Sequence, residues 1–349
     1  MRRIAVLGAN GFIGARAVEM LHQSGQVEVA PIVRRASAAA LPCRFDLKVQ
    51  VADGRDRPAL TTAFRGCDSV IVALAGDPAT ITGVIDPIFH AAREAGVRRL
   101  IYLSSASVHG QAPAEGTDER SPLSARQPLA YNNAKVAAER RLAALARSGG
   151  PETVILRPGI VFGPRSQWVG GWADEVLSGE AYLVEGARGL CNAIYVDNLI
   201  HAITLAARAE EVGGRAYLLG EHEPVTWRDL YRPICKALGA PIDVLPDHPF
   251  SAARPEPRQR FGAIRKAVPK PVLVGLRAAI RHGRPARPNG PAEPAVSLER
   301  ALLHTARHTP SWARARAELG YEPLVSFQEG LRRSIAWLKF ADYPMGDTA

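Results

Sequence analysis

The chain has 349 residues, 47% of them hydrophobic, and a net charge of +10. That length allows one large domain or two small ones with an ample core. The longest uncharged apolar runs, such as Val70 to Gly76, are far short of a bilayer span, so no transmembrane helix is expected.

The four cysteines (Cys43, Cys67, Cys191, Cys235) are scattered, without C-x-x-C or histidine at metal spacing. That pattern predicts reduced thiols, a cytoplasmic setting and no bound metal. The basic charge is local. Between Arg254 and Arg287, ten Lys/Arg face one acid, Glu256. That segment accounts for most of the excess, so the charge does not predict a nucleic-acid partner.

The first predicted strand covers residues 2–8. It runs into Gly8-Ala9-Asn10-Gly11-Phe12-Ile13-Gly14, and an amphipathic stretch over about 12–24 follows. Strand, glycine turn and helix in this order bring backbone N–H groups and a helix N-terminus up to a pyrophosphate. Gly8, Asn10, Gly11, Phe12, Ile13 and Gly14 are therefore candidate dinucleotide contacts. The second strand, 27–33, ends at Arg34-Arg35. An acid there would bond both ribose hydroxyls, whereas arginine pairs with a 2′-phosphate. The two arginines favour NADP(H), with NAD(H) as the alternative.

A short strand at 49–51 ends at Ala52-Asp53-Gly54, and a brief helix at 58–64 follows. Ser69 to Ala75 is a continuous apolar run typical of a strand buried on both faces. Ile81 to Gly96 has helical spacing, and 98–105 reads as the next strand, ending in Ser104-Ser105. Strands alternating with helices predict a doubly wound parallel sheet, with ligands at the carboxyl ends of its strands. Asp53 and Ala75 stand at two such ends.

Tyr131-Asn132-Asn133-Ala134-Lys135 opens a long alanine-rich helix. Residues i and i+4 share a helix face, and an ammonium beside a phenol lowers its pKa. Tyr131 is thus a candidate proton donor and acceptor.

Together these segments resemble the extended short-chain dehydrogenase/reductase family, which includes nucleotide-sugar epimerase/dehydratases and 3β-hydroxysteroid dehydrogenase-like enzymes. Matching segments are Gly8 to Gly14, Ser104 to Gly110, Tyr131 with Lys135, Leu156 to Pro164, Ile194 to Leu199, and 315–331. The resemblance covers about 1–240 and 295–340. It implies a Rossmann-type α/β fold with a smaller C-terminal substrate lobe. The dinucleotide domain would span 1–165 with 190–220 returning to it. The lobe would take 166–189 and 221–343.

By the same resemblance, Ser105 bonds the substrate oxygen and Tyr131 transfers the proton. Lys135 holds the nicotinamide ribose and lowers the Tyr131 pKa, and Pro158 lies against the cofactor. Hydride passes at a secondary alcohol or ketone of a small molecule, either a lipophilic compound or a nucleotide-sugar. The alternatives are a nucleotide-sugar 4-epimerase keeping NAD+ bound and, in another class, a non-catalytic dinucleotide-binding regulator. Ala106-Ser107 stand where the sugar dehydratases carry Asp-Glu, which argues against dehydration. His109 is expected to be a core or loop histidine. The family commonly pairs as a homodimer through helices of its first domain.

Three lobe features complete the expectations. Asp197 reads as a helix N-cap and Thr226 as another. Trp168-Val169-Gly170-Gly171-Trp172 reads either as a stacking loop for substrate or as a packed anchor. The insert 246–294 is rich in proline and arginine. Within it, 262–288 carries a basic amphipathic helix (Val272, Leu273, Leu276, Ala279, Ile280). It is open to three readings: a packed element with a solvated basic face, a peripheral membrane contact on anionic lipid, or a lid over an anionic substrate.

Overall fold

The computed structural model describes residues 2–254 and 296–346. The basic helix at 262–288 lies outside these residues. The chain opens with β1 (Arg2–Leu7), α1 (Phe12–Gln23), β2 (Val27–Val33), β3 (Gln50–Val51), α2 (Arg57–Phe64) and β4 (Ser69–Val72). Next come α3 (Pro78–Gly83), α4 (Ile85–Glu94), β5 (Arg99–Leu103), α5 (Ala130–Ala146), β6 (Glu152–Pro158) and β7 (Ile160–Phe162). Then follow α6 (Trp172–Ser178), β8 (Leu183–Val184), β9 (Leu190–Cys191), β10 (Ala193–Tyr195), α7 (Val196–Arg208) and β11 (Ala216–Leu219). Beyond the sheet's last strand lie β12 (Val225–Thr226), α8 (Trp227–Ala237) and β13 (Asp247–His248). After the undescribed segment come α9 (Leu298–His304), α10 (Ala313–Leu319) and α11 (Phe327–Phe340).

A seven-stranded sheet runs in the order β11-β6-β5-β4-β1-β2-β3. Every pairing in it is parallel. Parallel strands need both faces covered, and alternation along β1 shows how. Ile4 and Val6 face one cluster, with Ala17, Val18 and Leu21 of α1, Leu199 and Ile203 of α7, and Leu319 of α10. Ala5 and Leu7 face the other, with Leu60 and Phe64 of α2, Ile88 and Phe89 of α4, and Leu142 of α5. A third cluster lies off the sheet. It joins Phe162, Trp172, Trp227, Tyr231, Phe327 and Leu338.

The strand order reverses between β1 and β4, the switch point at which doubly wound sheets open a crevice. The glycine turn sits there. Gly8 has φ +91, a region costly to other residues. A Cβ on Gly8 would lie 2.6 Å from the Ala73 carbonyl oxygen, and one on Gly14 would overlap the Gly8 carbonyl.

Some elements end earlier than the sequence suggests. The run 69–75 is strand only to Val72. Ala73 N still bonds Leu7 O at 2.9 Å, but β1 ends at Leu7 and offers no ladder beyond. The run 98–105 is strand over Arg99–Leu103. The helix expected over 81–96 is broken into α3 and α4. Pro87 explains the break, since it has no N–H for the Gly83 carbonyl and its ring crowds that carbonyl.

Asp197 is not a cap. The α7 cap position is Tyr195, without a side-chain bond. Asp197 is instead buried, 5% exposed, and receives Arg16 of α1 at 2.7 and 2.8 Å and Arg333 of α11 at 3.4 Å. Thr226 does cap α8, in a reciprocal box with Asp229. Among the described residues, no helix is long and apolar enough to cross a membrane. All four cysteines are free.

The packing around Gly14 gives the first prediction. Gly14→Ala sets a Cβ against backbone, which cannot yield as a side chain can. It should lose about 2 kcal/mol or more of stability. Gly11→Ala, whose Cβ would stand 3.3 Å from Gly8 O, should stay within about 1 kcal/mol of the parent. Denaturant unfolding of both variants measures the contrast, and equal losses would contradict this description of the turn.

Candidate active site

The carboxyl ends of β1, β4, β5 and β6 gather the expected residues on one edge. The turn is tied down first. Gly8 N and Ala9 N both donate to Ile32 O at 3.1 Å, and Gly11 N donates to Gly8 O at 2.9 Å. Helix α1 then starts with no side-chain cap and no acid in its first turn. Its opening amides have no partner within the helix, which suits an anion. Asn10 and Gly11 are exposed at this opening. Phe12 packs against the third cluster and Ile13 against the first.

Arg34 and Arg35 follow β2 and are exposed. Among the described residues neither has an acidic partner. Asp53 is exposed after β3, its Oδ1 accepting from Arg55 N at 2.9 Å. Ala75 is exposed beyond β4, and Pro158 is the last residue of β6. An uncapped helix start, open glycine backbone and two unpaired cations fit a dinucleotide phosphate.

Ser104 and Ser105 differ in surroundings. Ser104 is buried and donates to Glu139. Ser105 is half-buried, and its Oγ accepts from Ser107 N at 3.1 Å, capping a short 3-10 turn. The Ser105 hydroxyl lies close enough to the Tyr131 phenol to lower its pKa. Tyr131 lies in the first turn of α5 and is 39% exposed.

Lys135 is 3% exposed. Its Nζ donates to Leu103 O at 2.8 Å and lies 5.8 Å from the Tyr131 ring centroid and 5.1 Å from that of Tyr102. Burial holds the Lys135 pKa down at about 8, against the opposing charge of Glu139 one turn on. Burial also raises the Tyr131 phenol above its ordinary value, while the Ser105 hydroxyl lowers it and Glu299 adds a further raise. The expected lowering of Tyr131 by Lys135 is therefore not what these protein atoms produce. Desolvation of the phenol dominates.

Behind these residues lies a network that the sequence reading missed. Arg157 of β6 and Glu139 of α5 form a buried ion pair at 2.6 and 3.1 Å, with side chains 6% and 4% exposed. Arg157 Nη1 also lies 3.2 Å from His109 Nε2. Burial, then the guanidinium, pushes the His109 pKa down to about 4, so the ring is neutral. His109 is thus a loop histidine in a support role. The available signal was spacing, since Glu139 follows Lys135 by four residues. Arg157's partner could not be read from sequence. Of the Trp168–Trp172 loop, Trp168 tilts against Trp227 at 5.1 Å, and Trp172 stacks on Tyr231 at 3.8 Å. Among the described residues, no cluster of His, Cys, Asp or Glu could hold a metal.

Comparison with known proteins gives the family. The model of the NAD dependent epimerase/dehydratase family matches residues 4–220. A 3 beta-hydroxysteroid dehydrogenase/Delta 5-->4-isomerase of Mycobacterium tuberculosis is 30% identical over 96% of this chain and 90% of its own. A 2-alkyl-3-oxoalkanoate reductase of Stenotrophomonas maltophilia is 29% identical over 95% of this chain and 98% of its own. Among solved structures, a double mutant of the dTDP-glucose 4,6-dehydratase of Streptomyces venezuelae, with NAD bound, superposes with a TM-score of 0.72. It covers 97% of each chain at 21% identity, a likeness of fold. The chain belongs to the NAD dependent epimerase/dehydratase family, within the extended short-chain dehydrogenase/reductases, and is an NAD(P)-dependent oxidoreductase of that type.

Proposed function

We propose that the chain is an NADP(H)-preferring oxidoreductase that interconverts a ketone and a secondary alcohol on a lipophilic small molecule. The observation that carries this reading is the meeting of Ser105, Tyr131 and buried Lys135 on the sheet edge that also holds the glycine turn. The relatives' names support an oxo or hydroxyl group on a largely hydrocarbon body. We assign 1–165 and 190–220 to dinucleotide binding and the rest, to 343, to the substrate lobe. The sheet strands supporting this division all fall in the first set.

When bound, the dinucleotide supplies or removes the hydride. The chain does the remaining work. The free amides of Phe12 to Gly14 would receive the pyrophosphate, and Arg34 and Arg35 would pair with the 2′-phosphate. Ser105 orients the substrate oxygen by hydrogen bonding. Tyr131, protonated at neutral pH, delivers its proton to a ketone oxygen and recovers it in the reverse direction. Lys135 gives one N–H to Leu103 and keeps two for the ribose hydroxyls and the phenol.

Thermal shift with the four dinucleotides tests the cofactor choice. NADPH should stabilise the chain more than NADH, and changing Arg34 and Arg35 together to Ala should remove that difference. NADH favoured by the parent would reverse the assignment. Stoichiometric NAD+ carried through purification would favour the 4-epimerase.

Tyr131→Phe should lower turnover at least a hundredfold while leaving dinucleotide stabilisation intact. A fully active variant would remove Tyr131 from the reaction.

Lys135 makes a pH prediction. Its pKa is about 8 folded against 10.5 ordinarily, so between these values the unfolded chain binds more protons. Stability from this group therefore rises with pH through that window, and below 8 the penalty is about 3 kcal/mol. Lys135→Met should be most stabilised relative to the parent at pH 7, and the gap should shrink by pH 10. Urea unfolding at both values measures it, and a constant gap would count against a depressed Lys135.

A further inference from the structure

Helix α5 carries Tyr131 in its first turn, yet it begins without a side-chain cap and without an acid there. An uncapped helix start has free amides and frays readily. The following turns are secured, since Lys135 Nζ donates to Leu103 O and Glu139 is paired with Arg157. Tyr131 stands one turn outside those anchors.

Its partner Ser105 opens the 3-10 turn Ala106–His109. Beyond that turn the chain runs out to β11, at the end of the sheet. There Glu119 accepts from Leu218 N at 2.8 Å and Thr117 O accepts from Ser311 N at 2.9 Å. The covalent path from Ser105 to Tyr131 therefore does not by itself set their spacing.

Gln127 closes that gap. Its Nε2 donates to Val108 O, 19 residues back, at 2.8 Å and to Ser124 O at 2.9 Å. Its Oε1 accepts from Asn132 Nδ2 at 2.9 Å. Its backbone is held as well. Gln127 N donates to Asn133 Oδ1, and Gln127 O accepts from Asn133 Nδ2, both at 2.8 Å. Every polar group of Gln127 is thus engaged. Val108 belongs to the Ser105 turn, and Asn132 and Asn133 directly follow Tyr131. Val108 and Asn132 are 0% and 1% exposed, so both ends of the link are embedded.

The amides cannot be reversed. Gln127 Nε2 meets two carbonyl oxygens, which only accept, so Oε1 faces Asn132. Asn132 answers with Nδ2, and its Oδ1 is left buried without a partner. A buried acceptor left unpaired opposes folding. A Ser or Asp at the Leu129 cap position would secure the helix start without that cost. What Gln127 adds over a cap is the bond to the Ser105 turn.

We infer that Gln127, acting with Asn132, is a positioning residue that holds the Tyr131 turn of α5 against the Ser105 turn. Both reacting residues must meet one substrate oxygen, and a misplacement of about 1 Å can cost on the order of a hundredfold in rate. This rests on the proposed proton transfer at Tyr131.

The test uses two variants of the full chain. Gln127→Met keeps the side-chain length without its hydrogen bonds, and Asn132→Ala removes one bond together with the stranded Oδ1. Hydrogen exchange read by mass spectrometry needs no substrate. In Gln127→Met the amides of 108–110 and of 133–135 should both exchange about tenfold faster or more, with β5 unchanged. With NADPH and the lipophilic ketone 2-decalone as probe, kcat should fall about tenfold or more in both variants, while KM stays within about threefold. The urea midpoint of Asn132→Ala should equal or exceed the parent's.

Unchanged exchange in either segment, or a kcat close to the parent's, would overturn the inference. So would a urea midpoint of Asn132→Ala that falls in step with kcat, the mark of a purely structural role. Should Gln127→Met fail to fold, Asn132→Ala decides at the same amides. Stabilisation by NADPH, measured on the same samples, reports separately on the proposed function. If it is absent, or if the parent leaves 2-decalone unreduced, exchange alone decides the placement.

Discussion

The Gly8 carbonyl is the point on which the arrangement depends. It accepts the Gly11 amide, and the Gly14 backbone closes directly over it. Gly8 itself lies against the Ala73 carbonyl of the neighbouring strand. Three backbone segments thus converge at the sheet's switch point with no room for a side chain. The same contact ends β1 at Leu7, leaving 74–75 of the β4 run without a ladder partner. Those residues are therefore free to line the opening.

A second constraint works from beneath. Lys135 is held nearly fully buried, and burying an ammonium is expensive. Two effects oppose one another there: desolvation lowers its pKa, and Glu139 raises it. The outcome near 8 shows desolvation winning. The reason is that Glu139 is already committed to Arg157 and Ser104, so its charge is largely spent. The Glu139–Arg157 pair is better understood as alignment than as net stability, because buried pairs gain little over apolar replacements. It joins α5, which carries Tyr131 and Lys135, to β6, which ends at Pro158. His109 adds the loop after Ser105 to the same group. Three chain segments at the reacting edge meet at one guanidinium.

The fold was legible because its signals are local. Apolar runs, glycine spacing and a Tyr–Lys interval can be read within a window of a few residues. The discrepancies were also local once the competing rule is named: Pro87 divided one helix, and a missing ladder partner shortened one strand. What the sequence could not show lies in pairings across long separations. Asp197 looked like a cap because its neighbours do; its partners, Arg16 and Arg333, are 181 and 136 residues away. Arg157 stood in plain view within its motif, but its role needs Glu139.

The same distinction separates what the family match explains from what it does not. The sheet edge is a polar site, where even Ser107 Oγ and Asn132 Oδ1 are buried without a partner among the described residues. The lobe differs. Trp172, Tyr231, Trp227 and His304 pack ring against ring, which stiffens this part of the lobe. Apolar area alone would separate similar substrates by only about 1–3 kcal/mol per methylene. The ring packing of the lobe is thus a constraint of shape, whereas the edge of the sheet holds the groups able to exchange a proton.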